Sequence, residues 1–217
     1  PNGLPGILPA NQDGTTDLAG ALDNLFNHPN VGPFIGKQLI QHLVTSNPSP
    51  AYVSRVSSAF NEGKSFGFGS GKRGDMQAVI AAILLDDEAR GALKSDPNYG
   101  RLREPAQYVL NILRTASAQT NGELQQYTQG MGQNVFYPPS VFSYYPHSFI
   151  VPGTKLEGSV FALGSSAQAI ARENFFHIVF FSEPRPNSSV KDTSRIRKLL
   201  NALAAKPVDL VNKLDQL

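Results

Sequence analysis

Apolar residues recur three or four positions apart over most of this chain, which is the spacing of side chains on one face of an α-helix. The pattern predicts a first helix over 17–27 and a second over 31–45. The face predicted for the first helix consists of Leu18, Ala21, Leu22 and Leu25. The second is expected to be the most buried helix, with an inward face of Phe34, Ile35, Leu39 and Leu43.

Capping residues indicate where the later helices begin. Ser, Thr and Asp side chains accept hydrogen bonds from the first amides of a helix, and Pro fits the first helical position. The residues predicted in these places are Ser49 with Pro50, Asp75, Pro105, Ser165 or Ser166, and Thr193. For Asp75 we expect a carboxylate oxygen within hydrogen-bond distance of the amide of Gln77 or Ala78. The apolar run 178–181 could form a strand, but the helical pattern before it favours a helix.

The predicted fold is mainly α, a multi-helix, bundle-like domain with a long irregular segment rich in proline and aromatic residues. We divide the chain into four parts. These are an N-terminal arm or linker over 1–16, a helical core over 17–118, an aromatic segment over 119–164 packed on the core, and C-terminal helices of the same domain over 165–217. Within the core, residues 62–74 are predicted to form a flexible, glycine-rich loop.

The composition excludes several functional classes. The 217 residues include no cysteine, which excludes disulfides, thiolate zinc sites and cysteine nucleophiles. A formal net charge of +2 gives no electrostatic reason to expect nucleic acid as a partner. The longest apolar run, Ala78–Leu85, is far shorter than the ~20 residues of a membrane-spanning helix. Because the chain starts at Pro1 and ends within a helical pattern, we expect a fragment of a longer protein that has lost any signal peptide.

Several long motifs carry a family resemblance. The segments LDNLFNHPNVGPFI, QLIQHLVTSNPSPAYV, RGDMQAVIAAILLDDEAR and LREP resemble the bacterial domain of unknown function 1800 family, and PPSVFSYYP resembles the pattern that follows them. The resemblance implies a helical protein that is exported to the periplasm or secreted. It also implies a possible partner, a protein that resembles the sulfatase and alkaline phosphatase superfamily. The family has no assigned catalytic residues, so it implies none here.

Two short motifs have structural explanations that we favour. The run GSGKRG over 69–74 matches G-x-G-x-x-G, but a helix precedes it instead of the strand that a dinucleotide site requires. The tripeptide Arg73-Gly74-Asp75 is the integrin-binding sequence, but a carboxylate that caps a helix is unavailable to a partner.

The ionisable residues give weak candidates for a site. The histidines are His28, His42, His147 and His177, and no two have the spacing of a metal-binding pair. A metal site joining His28, His42 and Asp75 stays open as the less favoured alternative, and we expect neither metal nor cofactor. Arg73 is a candidate binding residue, and the candidates for an anion site are Arg101 and Arg103. The interpretation that we favour is an ion pair between one of these arginines and an acid such as Asp86 or Asp87, with Glu104 near a helix N-terminus.

The segment 136–149 is the part of the chain that most suggests a function. Its rings are those of Phe136, Tyr137, Phe142, Tyr144, Tyr145 and Phe149. Such a loop can bind a sugar or a partner protein, with Tyr137, Tyr144 and Tyr145 as the candidate binding residues, or it can cover the core, which we favour. The segment should be ordered in either case. If it binds, at least two of the three tyrosines should be exposed.

The function predicted from the sequence is an interaction or scaffold module of an envelope or secreted assembly. The alternative is a hydrolase, or a glycan-processing or glycan-binding protein, whose site is completed by other parts of a longer chain. An exposed apolar face would favour the first, and a concave pocket lined by acids, histidine or arginine would favour the second.

Overall fold

The computed structural model describes residues 9–91, 97–183, 187–204, 206, 208–209 and 211–212. Over this part of the chain the fold is mainly α, as predicted. The α-helices are α1 (Gly14–Phe26), α2 (Val31–Leu43), α3 (Pro50–Glu62), α4 (Met76–Leu85), α5 (Asp87–Arg90), α6 (Pro105–Thr115), α7 (Gln125–Gly130), α8 (Ser166–Phe180) and α9 (Ser194–Leu203), with a 3-10 helix at Ser159–Leu163. Two short antiparallel strands, β1 (Gln119–Thr120) and β2 (Val190–Asp192), form the sheet in the described residues. No helix of the described residues is both long and apolar enough to cross a membrane.

Several helix starts follow the predicted capping chemistry, but the prediction for Thr193 is wrong, because its side chain makes no capping hydrogen bond at the start of α9. Asp75 accepts hydrogen bonds from the amides of Gln77 (2.9 Å) and Ala78 (3.2 Å), which confirms its role as the cap of α4. The Ser49 hydroxyl accepts from the amide of Tyr52 (3.1 Å) at the start of α3. Side chains cap α1, α5 and α8 in the same way, from Asp13, Asp86 and Ser165. The apolar run 178–181 lies at the end of α8, so the preference for a helix there is confirmed.

The described chain divides into two compact units, residues 1–101 and residues 102–217. In the first unit, α2, α3 and α4 pack against one another. Their core consists of Ile40, Tyr52, Val56, Ala59, Phe60, Val79, Ala82 and Ile83. Helices α3 and α4 each bury five residues, whereas α2 buries three. The prediction that the second helix is the most buried is therefore wrong.

The face of α2 that packs is also different from the predicted one. Phe34 and Leu43 are exposed, while the buried positions are Gly32, Gly36 and Ile40. A Cβ atom added at Gly32 would lie 2.9 Å from the side chain of Ser57 in α3. One added at Gly36 would lie 3.0 Å from the side chain of Val56, also in α3. The two helices approach so closely that glycine is required in the contact, and Phe34 and Leu43 lie outside it, in solvent.

Helix α1 places its apolar face in solvent. Leu18, Leu22 and Leu25 are all exposed, and α1 has no buried residue. Its contact with the core runs through Phe26, whose ring lies 5.9 Å from that of Phe60. The sequence correctly groups the leucines on one face, but that face is not part of the core of the first unit.

The loop between α3 and α4, which was predicted to be flexible, is tied together by hydrogen bonds. Gly63 has φ +63°, and a Cβ atom there would lie 2.1 Å from the carbonyl oxygen of Lys72. The carboxylate of Asp75 also accepts from the hydroxyl (2.6 Å) and amide (2.7 Å) of Ser70, in addition to its capping bonds. These hydrogen bonds, led by the one from the Ser70 hydroxyl, lower the pKa of Asp75 to about 2.

The second unit is built on α6, α7 and α8, which pack against one another. Its main core consists of Val109, Leu113, Ala116, Met131, Phe175, Val179, Phe180, Val190 and Ile196. A smaller cluster of Tyr145, Val160 and Leu163 lies under the irregular segment. Strands β1 and β2 pair within this unit, with Gln119 opposite Asp192. The irregular segment thus has a core of its own to pack on.

Candidate interaction site

The irregular segment of the second unit has an inner part and an outer part. Tyr145 is only 8% exposed and belongs to the small core cluster, where Tyr144 packs against it. Four apolar side chains of the same segment are instead exposed: Phe136 (91%), Tyr137 (68%), Val141 (94%) and Phe142 (73%). We call these four residues the aromatic surface. Four exposed large apolar side chains within seven residues of sequence are informative because monomeric proteins usually bury such side chains.

A carboxylate anchors the inner part of the segment to the start of α6. Glu104 accepts hydrogen bonds from the hydroxyl of Tyr145 (2.7 Å) and from the side-chain amide of Gln133 (2.8 Å). Gln133 is buried, and its side-chain oxygen accepts from the amide of Ala106 in the first turn of α6 (2.8 Å). Two residues far apart in sequence are thereby tied to one helix end. This network holds the base of the segment in place.

Local hydrogen bonds shape the outer part. The hydroxyl of Tyr144 donates to the carbonyl of Asn134 (2.7 Å), and the amide of Tyr137 donates to the same carbonyl (2.9 Å). Ser140 accepts from the amides of Phe142 and Ser143, through its hydroxyl (3.1 Å) and its carbonyl (3.2 Å). Because these bonds lie within the segment, it keeps a defined shape without helix or strand.

Phe136 has an unusual backbone conformation. Its φ is +69°, in the left-handed region that a bulky L-residue seldom adopts. That backbone conformation costs about 1–2 kcal/mol. Because the ring is exposed to solvent, no free energy of apolar burial offsets this cost. Strained residues are concentrated at functional positions, so the outlier favours a functional reason for holding this ring outward.

An apolar cavity of about 460 Å³ adjoins the aromatic surface. Phe136 and Tyr137 form part of its lining, together with apolar residues of α6 that include Val109 and Leu110. Leu110 is itself exposed, so the apolar lining continues onto the outer side of α6. The cavity has the size of a pocket that can take one or two side chains of a partner.

The aromatic surface lies in a stretch that is poor in charge. No Asp, Glu, Lys or Arg occurs between Glu123 and Lys155, and His147 is the only basic residue there. The centres of protein interfaces are depleted in charged residues and enriched in aromatic ones. A charged ligand would find no complementary group in this stretch except that histidine.

The three tyrosines predicted as binding residues have different environments. Tyr137 is exposed, Tyr144 is half-buried, and Tyr145 is buried with its hydroxyl on Glu104. The condition that two of them be exposed is therefore not met. The exposed neighbours of Tyr137 are two phenylalanines and Val141, which the sequence argument did not select as binding residues. Val141 lies between Ser140 and Phe142 in a tight turn, and a turn is where an apolar residue is least able to reach a core.

The predicted arginines have different environments. Arg73 donates to the carbonyls of Phe26 and His28 (both 3.1 Å) and to the side chain of Asn61, and its guanidinium lies 5.0 Å from the centre of the Phe60 ring. These contacts join the C-terminal end of α1 to α3, within the first unit. They give Arg73 a structural role.

The other two arginines belong to different units. Arg101 is half-buried in the first unit, and Arg103 is exposed in the second. The buried Asp86 accepts hydrogen bonds of 2.7 and 2.8 Å from Arg55. Its ion-pair partner is therefore Arg55, instead of Arg101 or Arg103 as expected. Burial alone would raise the pKa of Asp86, but the guanidinium of Arg55 and the amide of Glu88 outweigh it and lower the pKa below its ordinary value.

In the described residues, the histidines do not come together with other possible metal ligands. All four are exposed, and Nδ1 of His28 accepts from the amide of Asn30 (3.2 Å) in the turn after α1. Over the described ranges, no group of three or more His, Asp or Glu side chains is arranged to hold a metal ion.

Comparison with known proteins gives one match. A family model described as protein of unknown function (DUF1800) matches residues 6–214, which is nearly the whole chain. No curated protein matches the chain, and no solved structure matches it.

Proposed function

The chain belongs to the DUF1800 family of proteins of unknown function, and we propose that it is an interaction module that binds a partner protein through the aromatic surface. One observation carries the proposal: Phe136, Tyr137, Val141 and Phe142 are exposed within one short segment whose base is anchored by Glu104. Anchoring matters because a preformed surface loses little conformational freedom on binding.

The chemistry of the aromatic surface favours a protein partner over a glycan. Phe136, Val141 and Phe142 have no side-chain hydrogen-bonding group, whereas sugar recognition needs polar groups beside the ring that stacks on the sugar. Val141 offers no ring at all. Aromatic and aliphatic side chains that enter an apolar groove are typical of the central residues of protein interfaces.

The hydrolase alternative has less support at this surface. Acid–base hydrolysis of a glycosidic bond requires two carboxylates on either side of the bond. The cavity of about 460 Å³ beside the aromatic surface has no acidic residue in its lining. Glu104 is the carboxylate of the anchoring network, and its two oxygens accept hydrogen bonds from Tyr145 and Gln133.

We place this interaction in an envelope or secreted assembly, with a protein that resembles the sulfatases and alkaline phosphatases as the partner. This assignment extends the family resemblance and does not depend on the aromatic surface. The two parts of the proposal can therefore fail separately.

The experiment is a calorimetric titration of the chain with the sulfatase-like protein that its source organism encodes. Replacing Phe136 and Phe142 together by alanine should weaken binding by about 30-fold or more, since truncation of a central interface residue costs ~2 kcal/mol or more. Ile170→Ala is the matched control, because Ile170 is an exposed apolar residue on α8, in the same unit. Equal affinity of the double variant and the control would refute the role of the surface. If the unmodified chain does not bind, the partner is wrong.

A further inference from the structure

A second apolar cavity lies between the end of α8 and α9. It has a volume of about 490 Å³, which is within the range of small-ligand sites. Its apolar lining includes Phe176, Phe180, Phe181 and Leu200. The rings of Phe176 and Phe180 are stacked with their centres 4.5 Å apart, and the Phe181 ring lies 6.0 Å from that of Phe176. These rings give the cavity a continuous aromatic wall.

Among the described residues of the lining, Arg197 is the cation. The side chain of Arg197 is 18% exposed and forms an ion pair with Glu183. The Nε atom of Arg197 is buried and has no hydrogen-bond partner among the described residues. Its Nη1 atom forms the ion pair with Glu183 and also makes a long contact with the carbonyl of Ser182, at 3.4 Å. Within the described residues, the Nε–H group of Arg197 is thus an unused donor on a side chain that lines an apolar space.

The acid that balances this cation is held loosely. The side chain of Glu183 is 87% exposed, so water can solvate it when the pair opens. Exposed ion pairs contribute little to stability, and a carboxylate that reaches Arg197 from the apolar side would replace the pair at small cost. Arginine binds carboxylates and sulfonates well because its planar group can donate two parallel hydrogen bonds.

We propose that this cavity binds a small apolar monoanion, of the class of aliphatic or aromatic carboxylates. The anionic group of the ligand binds the guanidinium of Arg197 and replaces the carboxylate of Glu183. The apolar part of the ligand packs against the rings of Phe176, Phe180 and Phe181. The site is separate from the aromatic surface and does not depend on the proposed function.

The test is a calorimetric titration of the chain with decanoate, and with decanol as the neutral probe of the same length. Decanoate should bind saturably at one site, and decanol about tenfold or more weaker, because it lacks the charge that Arg197 recognises. Arg197→Gln should weaken decanoate binding by about tenfold or more. Equal binding of the two probes, or no saturable binding of decanoate, would overturn the proposal.

Two further variants separate this explanation from a general loss of structure. Glu183→Gln removes an exposed competitor, so it should tighten decanoate binding by about two- to fivefold, the range expected from an exposed ion pair. Phe142→Ala, in the aromatic surface, is the control and should leave decanoate binding unchanged. Unchanged or weaker binding by the Glu183→Gln variant would contradict the exchange of acids. A loss in the Phe142→Ala variant would assign the binding to the aromatic surface instead.

Discussion

Glu104→Ala tests whether the segment that bears the aromatic surface is anchored by the network at the start of α6. The substitution removes the acceptor of two hydrogen bonds, from the Tyr145 hydroxyl (2.7 Å) and the Gln133 side chain (2.8 Å). Both donors are in buried residues. Loss of a hydrogen bond by a buried donor costs ~1–3 kcal/mol, so for two bonds we expect the free energy of unfolding to fall by about 2–6 kcal/mol. Because Glu104 itself is half-buried, some water can enter, which favours the lower half of that range.

The measurement is chemical denaturation followed by far-ultraviolet circular dichroism, with two comparison variants. Glu104→Gln keeps one side-chain acceptor and should lose less stability than Glu104→Ala. Glu173→Ala removes an exposed carboxylate from α8 and should change the free energy of unfolding by less than ~0.5 kcal/mol. If Glu104→Ala behaves like Glu173→Ala, the carboxylate is not an anchor and the argument for a preformed surface is refuted.

Three further substitutions test the first unit by the same denaturation experiment. Tyr52→Phe removes a 2.6 Å hydrogen bond to the carbonyl of Ile83 in a fully buried position and should cost ~1–2 kcal/mol; no change would mean that the hydroxyl is not bonded. Gly63→Ala forces a side chain into a position with φ +63° and should cost ~1–2 kcal/mol or more, and a stabilised variant would contradict the left-handed turn. Asp86→Asn breaks the pair with Arg55 and should cost ~1–3 kcal/mol at pH 7. Since the folded pKa of Asp86 is lowered, its contribution is present above the unfolded pKa of ~4 and is lost as the pH falls through the folded pKa. The difference between Asp86→Asn and the unmodified chain should therefore shrink below pH ~4, and a constant difference down to pH 3 would contradict this.

Local chemistry explains which parts of the fold could be predicted from the sequence. The start of α4 depends on Asp75 and the two amides that follow it, all within three residues, so the cap could be identified correctly. The packing face of α2 could not, because it depends on how closely α3 approaches. Gly32 and Gly36 carry almost no apolar signal, yet they form the contact, and the hydrophobic pattern pointed to Phe34 instead.

The candidate site shows the same limit. The sequence indicated an ordered aromatic segment over 136–149, and the structure gives it a defined hydrogen-bonded shape. Which rings are buried depends on Glu104, which lies 41 residues before the tyrosine that it binds. A partner at that distance leaves no periodic signal. Tyr145 was therefore grouped with Tyr137, although one is buried and the other exposed.

Hydrogen exchange of the chain, alone and mixed with the proposed sulfatase-like partner, tests most directly whether the aromatic surface is the binding site. The account predicts that the largest gain in protection falls on the amides of 135–145 and of the α6 residues around Leu110. Helix α1 is the internal comparison, since Leu18, Leu22 and Leu25 form another exposed apolar face. Protection of α1 without any at 135–145 would contradict the account and move the interface to the first unit.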